Sequence, residues 1–167
     1  MIDAEEILGL PQFEGLSDDQ ISLVADLLEE RNVAAGQDVF KEGDEPDGLY
    51  ILRRGSLDVR IRVGEADSDA TVHVIREIEV FGEIAFLDSA PRTATVGALE
   101  DSEVLFLSNR KYLELAVKEP GIDHLVIRNI AGTLAGRLRD TDRRLKELIG
   151  GWDEADPSEF KEVLGAT

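Results

Sequence analysis

The sequence predicts a mainly β domain with flanking helices, in which short antiparallel strands close into a roll or barrel. The first observation concerns the region from Val33 to Leu107, where short stretches rich in Val, Ile, Phe and Tyr alternate with Gly, Asp and Pro turns. Strands favour these β-branched and aromatic residues, and many closely spaced antiparallel strands indicate a closed sheet. The second observation is that apolar residues on both sides of this region recur at helical spacing instead.

The N-terminal part predicts one helix followed by a series of strands. Ser17-Asp18-Asp19-Gln20 has the pattern of a capping box, and the apolar spacing after it predicts a helix over residues 17–31. The β-roll is predicted over residues 33–107. Its candidate strands are Asp38–Lys41, Gly48–Leu52, Leu57–Val63, Thr71–Ile78, Thr93–Ala98 and Glu103–Leu107. The small, acidic stretch from Gly64 to Ala70 is typical of a mobile hairpin tip.

The C-terminal part predicts helices over residues 108–149. Ser108-Asn109 can cap a helix that runs through Val117, Pro120-Gly121 breaks it, and a long helix follows over 122–149. Residues of that helix step by three and four, which predicts a coiled-coil seam and a homodimer: Ala131, Leu134, Leu138, Thr141, Leu145 and Leu148. We therefore expect one domain over residues 1–149. We expect residues 150–167 to form an acidic tail with a short amphipathic helix that carries Phe160, Val163 and Leu164.

The composition argues against several classes of function. A formal net charge of −18 would repel nucleic acid and anionic lipid, so neither is expected as a partner. The chain has no cysteine, and His73 and His124 lie in different elements, so neither a disulfide nor a metal site is expected. An acidic start without a long apolar run predicts a cytoplasmic protein. No nucleophile elbow or P-loop is present, and we expect no enzymatic activity.

One segment combines the groups that would bind a phosphate and a sugar. It runs from Phe81-Gly82-Glu83-Ile84-Ala85 to Pro91-Arg92-Thr93. Gly82 lets the backbone approach a ligand, and a helical turn over Glu83-Ile84-Ala85 offers free N–H groups to a phosphate. Arg92 adds a planar set of donors for phosphate oxygens, whereas the Glu83 carboxylate suits a sugar hydroxyl. A ribose that bears a phosphate has both groups.

This segment resembles the phosphate-binding cassette of cyclic nucleotide-binding domains, which occur in kinases, gated channels and the bacterial catabolite activator protein. Gly43-Asp44 through Leu52 and Arg54-Gly55-Ser56 match the family pattern too, and the resemblance covers roughly Phe13 to Leu148. It implies a jelly-roll, cupin-like β-roll that binds cAMP or cGMP and needs no other cofactor. Glu83 would bind the ribose 2′-hydroxyl, while Arg92 and the amides of Ile84 and Ala85 would bind the phosphate. A departure is the stretch 76–80, where the family often has a glycine turn.

The choice of base is less strongly indicated. The stretch from Arg137 to Thr141 resembles a helix in the catabolite activator protein where a threonine meets the adenine edge, which would make Thr141 a base contact. The alternative is that Thr141 only sets the register of the seam. Val59 and Val72 are further candidate base contacts. Thr93 follows the cassette arginine, as in cGMP-selective kinases but also in channels that accept cAMP. We favour cAMP over cGMP and leave open whether Trp152 or the tail caps the base.

These observations predict a stand-alone sensor. Ligand binding would favour one arrangement of the long C-terminal helix and pass the signal to an unidentified effector protein. The alternative is a degenerate cyclic nucleotide-binding fold that binds no nucleotide and acts as a protein-interaction module.

Overall fold

The computed structural model describes residues 2–63, 68–76 and 78–150, and it has the predicted architecture of antiparallel sheets with flanking helices. The strands are β1 Leu28–Val33, β2 Asp38–Phe40, β3 Gly48–Arg54, β4 Ser56–Val63, β5 Ser68–Arg76, β6 Glu79–Phe81, β7 Thr95–Ala98 and β8 Ser102–Ser108. The helices are α1 Glu5–Leu8, α2 Asp18–Ala25, α3 Glu83–Asp88, α4 Asn109–Lys118 and α5 Pro120–Gly150, with a 3-10 turn at Pro11–Phe13.

The strands described form two four-stranded sheets, in the orders β1-β8-β3-β6 and β2-β7-β4-β5. Their inner faces enclose an apolar core, to which β3 contributes Tyr50 and Leu52 and β8 contributes Val104 and Phe106. The Tyr50 ring stacks on Phe81 at 5.4 Å between centroids and lies 4.9 Å from Phe106. An aromatic layer therefore supports one end of the roll from inside.

The first helix is shorter than predicted. The capping box at Ser17 is present, but α2 ends at Ala25, and residues from Leu28 onward form β1. Each residue of β1 pairs with β8, from Leu28 opposite Leu107 to Val33 opposite Ser102. The apolar spacing up to Leu28 fits either a helix or a strand. The backbone pairing with a distant strand then outweighs the weak local preference for a helix.

The β5 region also differs from the prediction. The strand predicted to end at Ile78 ends at Arg76, and a separate short strand, β6, follows it. Ser68 to Ala70 belong to β5, where they pair with the end of β4, so the hairpin tip predicted over 64–70 is shorter. Residues 64–67 lie outside the described residues.

The first residues of α4 and α5 are held in different ways. Within the described part of the chain the Ser108 side chain makes no capping hydrogen bond, although Ser108 occupies the N-cap position of α4. The Asn109 amide donates instead to the Asp47 carbonyl at 3.0 Å. α4 ends at Lys118, before Pro120-Gly121, as predicted. Pro120 itself is the first residue of α5, because its fixed φ and missing N–H suit a helix start.

The described chain falls into two units, one up to Ile130 and one from Ala131, which contains the C-terminal part of α5. In the second unit Leu138 and Leu145 are exposed, and the Thr141 hydroxyl donates to the Arg137 carbonyl at 3.0 Å. Trp152 and the predicted tail helix lie outside the described residues. Among those that are described, no helix combines the length and the apolar character needed to span a bilayer.

Candidate functional site

The centre of the candidate site is a sharp corner between β6 and α3. Gly82 has φ +77°, a conformation that glycine adopts without steric cost. A Cβ atom at this position would lie 2.6 Å from Arg92 Nη1, so a side chain would also displace the Arg92 guanidinium group. α3 starts directly after the corner, with Glu83 and Ala85 buried and Ile84 exposed. The first N–H groups of a helix have no partner within it, and they point outward from its N-terminal end.

Arg92 is held inside the protein by backbone and side chain. Its N–H donates to the Asp44 carbonyl and its carbonyl accepts from the Gly43 N–H, both at 2.8 Å. Only 3% of the residue is exposed. Nη1 donates to the Gly82 carbonyl at 3.0 Å, and Nη2 donates to Gly48 O at 2.8 Å. The second partner of Nη2 is the carboxylate of Asp47, at 2.7 Å.

The guanidinium group of Arg92 still has unused donors. Its plane lies 4.2 Å from the centroid of the Phe40 ring and 5.6 Å from that of Tyr50. Nε is buried and has no hydrogen-bond partner among the described residues. A buried N–H without a partner is costly, and phosphate oxygens bind well to the edge of a guanidinium group. These features make Arg92 a candidate anion-binding residue of the corner.

Glu83 is the second buried ionisable residue of the corner, with 4% of its surface exposed. Carboxylates are rarely buried to this extent in proteins unless they are paired. Gly82 links the two residues, because its carbonyl accepts from Arg92 Nη1 and its position precedes Glu83 directly. The structure thus places Arg92 in contact with Gly82, and the predicted site residues Glu83 and Ala85 follow Gly82 in α3. Ile84 and Thr93 have more exposed side chains on the same segment.

Sequence reasoning missed the residues that support Arg92. Asp47 bonds Arg92 through one oxygen, and its other oxygen accepts from the Tyr50 hydroxyl at 2.8 Å. Burial, and then the bond to Asp47, raise the pKa of Tyr50 well above its ordinary value, so the hydroxyl stays a donor. The acidic turn that contains Asp47 was the available signal, but turn-forming carboxylates are common and its spacing to Arg92 is long.

The candidate base contacts Val59, Val72 and Thr141 lie on other elements than the corner. Val59 is half-buried against the core and pairs with His73, whose Nε2 lies 3.3 Å from Glu79 Oε1. The register of β4 and β5 shifts here, which leaves Val72 as the extra residue of a bulge, 55% exposed. Thr141 belongs to the unit that starts at Ala131. The described residues include no cluster of His, Asp and Glu that could hold a metal ion.

Comparison with known proteins relates this chain to one family. Residues 30–119 match the family model of the cyclic nucleotide-binding domain. The cyclic AMP receptor protein of Thermus thermophilus is 33% identical over 140 residues, which cover 84% of this chain and 62% of the relative. A cAMP-dependent protein kinase regulatory subunit of Mycosarcoma maydis is 31% identical over 149 residues, covering 86% of this chain and 25% of the relative.

Solved structures agree with the sequence comparison. The catabolite activator protein of Thermus thermophilus superimposes with a TM-score of 0.71 at 33% identity, covering 83% of this chain and 62% of that one. A cyclic nucleotide-binding domain from Methylobacillus flagellatus has a TM-score of 0.77 at 21% identity, covering 86% and 83%, and shows the shared fold. The chain spans less than two thirds of the length of the Thermus cyclic AMP receptor protein and of the Mycosarcoma kinase subunit. It belongs to the cyclic nucleotide-binding domain family.

Proposed function

We propose that this chain is a cytoplasmic sensor that binds cAMP in preference to cGMP at the corner formed by Gly82 and Arg92. The observation that carries the proposal is the buried Arg92 guanidinium, which has a donor to spare and stands beside the start of α3. The phosphate would accept from Arg92 and from the amides of Ile84 and Ala85. Glu83 would accept from the ribose 2′-hydroxyl. The relatives include a cyclic AMP receptor protein and a cAMP-dependent protein kinase regulatory subunit, which supports the choice of ligand.

Calorimetric titration of the nucleotide-free chain tests this proposal directly. We expect cAMP to bind, and Arg92→Ala to weaken binding by about 2–5 kcal/mol, because the phosphate loses a charged partner. Arg53→Ala is the matched control, since Arg53 is also held by carboxylates but lies at the end of β3 and contacts Glu6 and Glu30. Equal cAMP affinity of the parent and Arg92→Ala would show that the ligand lies elsewhere.

The role of Glu83 has its own test. Glu83→Gln keeps the size of the side chain but turns the carboxylate into a weaker acceptor. We expect the parent to bind cAMP about 10-fold or more tightly than its 2′-deoxy analogue, because a hydrogen bond to a charged group contributes about 1.5–3 kcal/mol. In Glu83→Gln this preference should shrink. If both proteins discriminate equally, Glu83 does not bind the sugar.

The preference for cAMP is proposed to depend on Thr141, with Val59 and Val72 in apolar contact with the base. Thr141→Val removes the hydroxyl and keeps the shape, so it should weaken cAMP by up to about 1–3 kcal/mol and leave cGMP nearly unchanged. Paired titrations of both nucleotides measure this difference. Unchanged cAMP affinity would reduce Thr141 to a packing residue.

We also propose that the chain acts as a homodimer through α5 and signals to an effector protein by a shift between two arrangements of this helix. The exposed leucines Leu138 and Leu145 lie seven residues apart, the spacing of a coiled-coil seam. With a net charge of −18, the chain itself is proposed not to bind duplex DNA. A mobility shift on DNA at low salt, with or without cAMP, would contradict this.

A second candidate function is favoured by one observation. Arg92 already has three protein acceptors, namely Gly82 O, Gly48 O and Asp47, so the corner is stable without a ligand. A chain of this kind could keep the fold as a protein-interaction module. Neither cAMP nor cGMP would then raise the melting temperature at millimolar concentration, whereas a ligand at 100 times its Kd stabilises a receptor by about 2.7 kcal/mol.

A further inference from the structure

Asp47 lies between two arginines. Its Oδ1 accepts from Arg92 Nη2 at 2.7 Å, and its Oδ2 lies 3.7 Å from Nη1 of Arg31. The same Arg31 nitrogen donates to the Tyr50 hydroxyl at 3.2 Å, and that hydroxyl donates to Asp47 Oδ2 at 2.8 Å. One carboxylate and one phenol therefore connect a strand at the edge of the roll, β1, with the arginine of the candidate phosphate site.

Arg31 is held in this position by the core. Its guanidinium group lies 3.4 Å from the centroid of the Phe106 ring and 5.8 Å from that of Tyr50. A cation over an aromatic face is attracted by the electrons of the ring, and this contact orients the planar group. Arg31 thus faces the inner aromatic layer, while its side chain and that of Asp47 remain 41% and 49% exposed.

The second carboxylate near Arg31, that of Glu29, forms an ion pair with Lys111. Glu29 Oε2 lies 3.9 Å from Arg31, but Glu29 Oε1 binds Lys111 Nζ at 2.6 Å. The hydrogen bond and the charge of Lys111 lower the pKa of Glu29, with a smaller contribution from Arg31. The positive charge of Arg31 is therefore left largely available to Asp47.

The charges around the site show what Arg31 can contribute. Asp47 cancels the charge of Arg92, so this pair alone is neutral and would become negative when a phosphodiester with one charge binds. Arg31 offsets that charge, so the set of Arg31, Asp47 and Arg92 is net positive before binding and neutral afterwards; the buried Glu83 of the same corner is not part of this set. In a chain with a net charge of −18, an anion depends on such local compensation, because charges beyond about 8 Å are screened.

We propose that Arg31 is a positioning residue for the anionic ligand. It neutralises and orients Asp47, so that Arg92 can bind a phosphate without leaving an uncompensated carboxylate beside it. Arg31 acts through Asp47 and makes no contact with the ligand itself. This inference rests on the proposed function, since it names the residue that makes the same site receptive to a phosphodiester.

A double-mutant cycle with cAMP as the probe tests the inference. Calorimetry measures the Kd of the parent, Arg31→Gln, Asp47→Asn and the variant with both changes. We expect Arg31→Gln to weaken binding about three- to tenfold in the parent but less than about twofold when Asp47 is already Asn. Arg31→Lys, which keeps the charge, should recover most of the affinity. A merely structural role of Arg31 would lower affinity equally in both backgrounds, and Lys would not rescue it.

The outcomes separate the two proposals. If the parent binds cAMP and Arg31→Gln binds it equally well, or if the loss is the same with Asn at position 47, the role of Arg31 is refuted and the proposed function stands. If the parent binds neither cAMP nor cGMP, the proposed function fails and this inference fails with it. Should Arg31→Gln not fold, Arg31→Met keeps the contact with the Phe106 ring and replaces it in the cycle.

Discussion

Arg92 should stabilise the protein even without a ligand. In the Arg92→Ala variant the buried Gly48 carbonyl loses its charged donor, and the Phe40 ring loses the cation that covers it. Gly82 O loses one donor but still accepts from the Phe86 N–H at 3.3 Å. Asp47 is half-exposed, so water can replace the arginine there.

These losses can be added up roughly. A buried carbonyl without a partner costs about 1–3 kcal/mol, and the loss of a desolvated cation–π contact costs about 1–2 kcal/mol. The half-exposed ion pair with Asp47 contributes at most about 1 kcal/mol. Removing the buried Nε, which has no partner in the described structure, returns part of this. A net destabilisation of about 2–4 kcal/mol remains, or roughly 5–15 °C in melting temperature for a chain of this size.

Differential scanning calorimetry of the nucleotide-free parent and Arg92→Ala measures this effect. The Arg53→Ala variant is the control, because its partners are partly exposed carboxylates and its loss should be about 1 kcal/mol or less. If Arg92→Ala melts within a degree or two of the parent while losing cAMP binding, Arg92 serves the ligand alone. The structural reasoning about Gly48 and Phe40 would then be wrong.

Three further changes should have separate effects. Gly82→Ala places a Cβ atom 2.6 Å from Arg92, on a backbone with φ +77°. We therefore expect a loss of about 1–3 kcal/mol in stability and weaker cAMP binding. A melting temperature and a cAMP affinity equal to those of the parent would contradict this. Lys111→Met removes the partner that lowers the pKa of Glu29. This ion pair stabilises the protein fully above the pKa that Glu29 has in the unfolded chain, and the stabilisation is lost as the pH falls through the pKa of Glu29 in the folded protein. The melting temperature of this variant should therefore drop at about pH 7 and drop progressively less as the pH falls below 4.5, and an equal drop throughout would refute the ion pair. Leu138→Glu should turn a dimeric parent into a monomer in sedimentation, and a monomeric parent would remove the seam.

The cassette was predictable because its residues are neighbours in the sequence. Gly82 and Glu83 are adjacent and Arg92 follows nine residues after Glu83, so these residues could be selected as a candidate site without the structure. The roll was predictable for a similar reason, since its strands combine β-branched residues with turns. The capping box at Ser17 likewise involves a contact over three residues.

The features that were missed depend on distant parts of the chain. β1 forms because β8 pairs with it, and no local pattern distinguishes Leu28 in a strand from Leu28 in a helix. Asp47 becomes part of the site only when the fold brings it to Arg92. From the sequence alone Arg31 is an ordinary charged residue, and only the structure shows its contact with the Phe106 ring.

The pairing of β1 with β8 has a consequence for how the chain folds. β1 is the first strand of the roll in the sequence and β8 is the last, and β8 lies between β1 and β3 in the sheet. The sheet therefore remains incomplete until the last strand has been synthesised, and closing such a long loop costs entropy before the contacts compensate for it. Topologies with many distant contacts fold slowly. Until β8 has been synthesised, β1 has no partner in this sheet and one edge of β3 stays unpaired, so these strand edges of the nascent chain are open to misassociation.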